Sequence, residues 1–362
     1  MADRLRSLLF VLALMLLFSF PALGGQAGAG ATPACAACAN LRVAPLDAFT
    51  PFVMVDDGKP YEVVAPWRGC QKCNAGLKAD RLADGLRARL AAASKAKAQW
   101  EERTKAELTL VATPYLSIYT QARPQQVRSY ALQTEKLVGH LQKQTGSMTL
   151  TRTRSDSDVI LLLSEPRSYK HFVDEMAKRQ PDQGWAQCLN SSGGVDRHIA
   201  FSNLARSGAS ADHHIVFLFG QMLMHEATDQ KAPPWLREGF AAYCERAVFH
   251  QNLFSSSAYK ENRPRLEPHW PRAMRMALQK GEKVSLRSVI GLDMSGAGAG
   301  DYLGCFSVVS YLLDAHPKPF LKFVLLLRAG EPVRKALEMA YGRTIDELDA
   351  EWRTWAMNLG KL

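Results

Sequence analysis

From Ile215 to Asp229 this chain reads as a helix that is apolar almost all the way round, with Ile215, Val216, Phe217, Leu218, Phe219, Met222 and Leu223 leaving no polar stripe for water. A helix of that kind has to lie at the centre of its domain. Pro233 and Pro234 follow, ending it and starting another that runs from Trp235 to about Phe249. The fold is therefore expected to grow around a buried helix joined by a tight corner to an antiparallel partner.

The polar residues on this pair form a near-complete metal motif. His225-Glu226-Ala227-Thr228-Asp229 approaches H-E-x-x-H, in which two imidazoles four residues apart hold Zn²⁺ and the intervening Glu is the general base. Asp229 stands where the second His belongs. Four helical residues turn about 400°, which places His225 and Asp229 within roughly 40° of one another on one face. Glu238 lies one turn inside the following helix, and Gly239 beside it removes a side chain, letting the two helices approach. One His and two carboxylates would give Zn²⁺ three protein ligands and one position for water, as catalytic zinc requires. An Asp reaches less far than an imidazole and adds negative charge, so weaker metal binding and a less acidic bound water are expected. His214 and His250 lie too far along their helices to help, about 16 Å. Nothing local places His198 or His269.

With Pro234-Trp235-Leu236-Arg237-Glu238-Gly239-Phe240-Ala241 added, the chain resembles the peptidase MA-like gluzincins, zincin-fold metallopeptidases with H-E-x-x-H followed by P-x-W-x-x-E-G-x-A. Tyr302 to Leu313 is similar to that family's downstream helix, and Gly342 to Trp355 to its closing G-x-x-x-x-E-L-x-x-x-W helix. The likeness covers residues 112–358. It implies zinc on His225 and Glu238 with Asp229 in the missing ligand's place, Glu226 as general base and Tyr302 in support of the transition state. Two functions follow as expectations. One is an exported zinc metallopeptidase, weakened by Asp229, in which a metal-activated water cleaves a peptide bond. The other is an inactive pseudopeptidase that binds peptides or envelope partners.

The remaining pattern predicts an α+β fold: a zincin-like small mixed sheet with helices, then a helical half, preceded by a Cys-rich hairpin module. Strands are expected at Leu116–Thr120, Asp158–Leu163 and His198–Ser202, and helices at Pro124–Thr145 and Pro166–Lys178. Residues 77–111 read as a connector whose helix, from Leu77 to Lys105, carries Leu82, Leu86, Leu90, Ala93 and Trp100 on one face. Thr344 and Glu347 form a capping box for the last helix. No internal repeat is visible.

At the N-terminus, Arg4 and Arg6, the apolar run Leu8–Phe20 and Pro21-Ala22-Leu23-Gly24 make residues 1–24 a secretory signal, with a retained anchor as the alternative. Export to the periplasm or the outside is the expectation, with no membrane-spanning segment once the signal is cleaved. Residues 25–76 hold a small-residue linker and then Cys35-x-x-Cys38 and Cys70-x-x-Cys73, flanking two short strands, Phe52–Val55 and Tyr61–Val64, around Asp57-Gly58. Cys35, Cys38, Cys70 and Cys73 suit a structural Zn²⁺ ribbon, while in an exported protein they could instead pair as disulfides. Cys188, Cys244 and Cys305 remain, an odd number. Net charge is +10, but its Lys and Arg are scattered with no basic helix interleaved with aromatics, which argues against nucleic acid as a partner. The partner class is a peptide or protein, as substrate or ligand.

Overall fold

The structure, a computed structural model, describes residues 54–56, 80–113, 115–146, 158–181, 185–189, 193–196, 198–205, 211–252, 269–282, 284–294 and 297–358. The signal, the linker, the four Cys of the ribbon and most of its hairpin lie outside the described residues.

Among the described residues, helices cover both faces of a six-stranded mixed sheet. In chain order its strands are β1 (Met54–Asp56), β2 (Thr109–Ala112), β3 (Ser117–Thr120), β4 (Val159–Leu163), β5 (Gly193–Asp196) and β6 (Ile199–Asn203). Across the sheet they run β1-β2-β3-β4-β6-β5. The centre, β3-β4-β6, is parallel, and antiparallel pairs close both sides. β4 explains the layering: Val159-Ile160-Leu161-Leu162-Leu163 is apolar at every position and buried at every position, as a parallel strand covered on both faces must be. Alternation then sorts its side chains, with Leu161 and Leu163 entering one core and Ile160 and Leu162 the other.

The first core lies under α1 (Asp80–Thr104), α3 (Pro166–Arg179) and the short α4 (Trp185–Cys188). Leu90, Ala93 and Trp100 of α1 are buried there as the periodicity requires, and the Tyr119 hydroxyl of β3 donates to the Ala93 carbonyl at 2.8 Å. The expected connector helix thus packs on β2 and α3. β2 itself was not expected. It is only four residues long, at the edge of the apolar run that the helix pattern leads into.

The second core is continuous from Val111 to Ala356. On the sheet side α2 (Pro124–Thr145) and α5 (Ala211–Ala227) contribute Val127, Ala131, Ile215 and Phe219. Beyond them stand α6 (Pro234–Phe249), α7 (Trp270–Gln279), α8 (Leu286–Ile290), α9 (Ala299–Asp314), α10 (Pro317–Arg328), α11 (Val333–Tyr341) and α12 (Ile345–Asn358). This is the expected mixed α+β arrangement with a helical second half. Trp352 of α12 donates its indole N–H to Ser307 Oγ of α9 at 3.0 Å, a buried bond between two helices distant in sequence. The capping box forms: Glu347 N–H donates to Thr344 Oγ1 at 3.3 Å, and the Thr344 N–H donates to Glu347 Oε2 at 2.7 Å.

Candidate functional site

α5 ends two residues before Asp229, a correction to the helix read through to that position. Asp229 and Gln230 have φ of 54° and 63°, in the left-handed region where a right-handed helix cannot continue. The Gln230 N–H donates to the His225 carbonyl at 2.8 Å. Thr228 completes the closure: its hydroxyl donates to the Met224 carbonyl at 2.8 Å and accepts from the Ala232 N–H at 3.0 Å. The helix therefore stops on its own polar residues, ahead of Pro233. Asp229 is exposed, and the helical angle that was to set it beside His225 does not exist.

α5 and α6 do form the expected close pair, but by a different glycine. A Cβ on Gly220 would stand 3.0 Å from Ala241 Cα and 3.1 Å from Cys244 Sγ, so Gly220 admits α6. Gly239 instead faces α9, where a Cβ would meet the carbonyl of Cys305. A buried contact between His213 Nδ1 of α5 and Glu245 Oε1 of α6, at 2.6 Å, also joins the pair.

His225 is buried, and its Nε2 accepts a hydrogen bond from Arg237 Nη1. Its Nδ1 is buried without a hydrogen-bond partner among the described residues. Burial, reinforced by the Arg237 charge, lowers the imidazole to about 4, so it is neutral and free to accept. Glu238 accepts from Gln221 Nε2 through Oε1 at 2.9 Å, while Oε2 is buried with no partner among the described residues. Burial raises its carboxyl to about 7, against the pull of Arg237 and Gln221. Arg237, one position before Glu238, was not singled out by the motif, which leaves that position open.

Zinc as the resemblance would place it does not fit these residues. Asp229 is turned out on the left-handed corner, the Nε2 of His225 already faces a cation of the chain itself, and the donor atoms of His225, Asp229 and Glu238 do not gather. Tyr302 is buried in the first turn of α9, which packs on α6.

Glu226 belongs to another cluster. His198 Nδ1 lies 3.1 Å from Glu226 Oε1 and 3.0 Å from Asp158 Oδ1. Asp158 precedes β4 and His198 precedes β6, so two adjacent parallel strands deliver them to one end of the sheet, where the last turn of α5 brings Glu226. Asp158 and Glu226 are buried, with side chains 1% and 8% exposed, whereas that of His198 is 40% exposed. Burial raises the Asp158 carboxyl to about 6, His198 opposing by its hydrogen bond and Glu226 adding to the rise by repulsion. One donor atom from each residue lies within 4.8 Å of the others, so this group could hold a metal ion. No sequence spacing announces it, since 40 and 28 residues separate its members and the strands alone align them.

A scan against protein-family models and a comparison with curated proteins both give no match. Among the described residues no helix is long and apolar enough to cross a membrane.

Proposed function

We propose that this chain is an exported, gluzincin-like pseudopeptidase: a zincin-type scaffold that binds an extended peptide segment without cleaving it. The observation that carries this reading is the hydrogen bond from Arg237 to His225. Where the resemblance implies Zn²⁺, a guanidinium from the next helix supplies the positive charge, and a guanidinium has no coordination position at which water could be activated. Hydrolysis is thereby removed while the helix pair persists.

Peptide binding is supported by the sheet. Among the described residues β5 is the outermost strand on its side of the sheet, antiparallel to β6, and it packs near α5. An extended peptide that adds beside an outermost strand is held by main-chain hydrogen bonds, which is the binding mode this reading assigns to β5. Gly193 and Gly194 let β5 close on β6, since a Cβ would meet the Phe201 carbonyl at the first and the Phe201 ring at the second.

The test pairs binding with cleavage. A library of extended peptides is expected to yield ligands whose fluorescence anisotropy rises with protein, and whose binding is lost when alternate backbone nitrogens are methylated. The same peptides and a denatured protein substrate should remain uncut with or without added Zn²⁺. Zinc-dependent cleavage that disappears in Glu226→Gln would overturn the reading in favour of a working peptidase.

A further inference from the structure

We propose that Asp158, His198 and Glu226 bind a divalent cation of the Zn²⁺ or Mn²⁺ kind that fastens the sheet to the end of α5. The site is separate from the His225 and Arg237 contact and does not depend on the peptide-binding reading.

Three observations carry it. The first is an excess of acceptors. A neutral imidazole has at most one Nδ1–H, yet Nδ1 faces carboxylate oxygens of two different residues at 3.0 and 3.1 Å. The second is burial. Asp158 is 1% exposed and its other oxygen, Oδ2, is buried with no hydrogen-bond partner among the described residues. Two carboxylates this deep are costly unless a positive charge neutralises them. Arg89 acts on Asp158, but as the smallest of the influences upon it. The third is spacing. Ligands bound at about 2.0–2.1 Å in a tetrahedron stand roughly 3.4 Å apart, so donors already at 3.0 and 3.1 Å need little rearrangement to receive an ion.

Donor chemistry selects the ion. One imidazole with two carboxylates suits borderline first-row cations; Ca²⁺ demands six to eight oxygens, and Mg²⁺ is taken mainly by carboxylates and water. No thiol is part of the group, which disfavours soft ions. The half-exposed ring of His198 marks the side from which a cation enters.

Co²⁺ titration of the full chain distinguishes this site from the four N-terminal Cys. Thiolate ligation gives intense sulfur-to-metal charge transfer, whereas the imidazole–dicarboxylate site gives only weak ligand-field bands. A weak-band site displaceable by Zn²⁺ is expected, resistant to Mg²⁺ and Ca²⁺. His198→Gln and Asp158→Asn should each weaken it by more than about tenfold, while His225→Ala leaves it in place. If Asp158→Asn does not fold, His198→Gln decides, because its side chain is half exposed. Undiminished affinity in His198→Gln, loss of the site in His225→Ala, or no weak-band site in the wild-type chain would each overturn the proposal.

Discussion

Arg237 of α6 donates through Nη1 to Nε2 of His225 on α5, across the close helix pair. Both groups are largely out of water, and burial with the neighbouring charge keeps the imidazole neutral down to about 4. Replacing Arg237 by Ala removes the cation but not the burial. The expected outcome is an upward shift of the His225 titration that still stops short of the ordinary value of 6.5, read from its ring proton by NMR. A midpoint unmoved by the substitution would mean that Arg237 does not govern this imidazole.

Asp229→His should create no zinc site at His225. The new imidazole would sit on the exposed left-handed corner, two residues beyond the helix, where it cannot join His225 on one face. Calorimetric titration of Zn²⁺ into the variant and the parent checks this. A gain in affinity would show that α5 extends to residue 229 in solution.

Glu238 makes stability depend on pH with a definite sign. An unfolded Glu releases its proton near 4.5, whereas Glu238 in the fold holds it to about 7. Between those values the native state binds the extra proton, so its contribution is present at low pH and lost as pH rises through 7. Relative to wild type, Glu238→Gln should therefore gain about 1–3 kcal/mol on going from pH 4.5 to 8. His225 acts oppositely: the unfolded ring takes a proton near 6.5 and the folded one only near 4, so stability is lost as pH falls through that window. Urea denaturation of both proteins across pH 4.5–8 measures the difference.

Two glycines rank differently as packing sites. Gly220→Ala forces a Cβ to 3.0 Å from Ala241 Cα and should cost about 1–3 kcal/mol by spreading α5 from α6. Gly239→Ala collides with the Cys305 carbonyl, which cannot swing aside as a side chain does, and should cost more. Thermal melts of the two variants give the order; the reverse order would place the tighter helix contact at α5 and α6.

Ser307→Ala leaves the Trp352 indole N–H buried and unpaired. A loss of about 1–3 kcal/mol is expected, against about 1 kcal/mol for Thr344→Ala at the exposed capping box. Chemical denaturation of the two variants compares them.

The sequence was informative wherever the signal was local. Pro124 and Pro166 sit at the first turn of their helices, and the uninterrupted apolar run of β4 marks a strand covered on both faces. The near-complete zinc motif misled for a physical reason: its spacing presumes a helix through residue 229, and Thr228 with the left-handed corner ends that helix early. Asp158 and His198 were legible only as parts of strands. What brings them to Glu226 is the parallel register of β4 against β6, Val159 opposite Ile199, which no local pattern contains.

Because α5 is buried on every side and shares one apolar cluster with both the sheet and the helices through Ala356, neither half holds a complete interior alone. Calorimetry should accordingly record a single cooperative melting event for this body, and a protease that cuts beyond Phe249 should release fragments that collapse rather than a stable helical remnant.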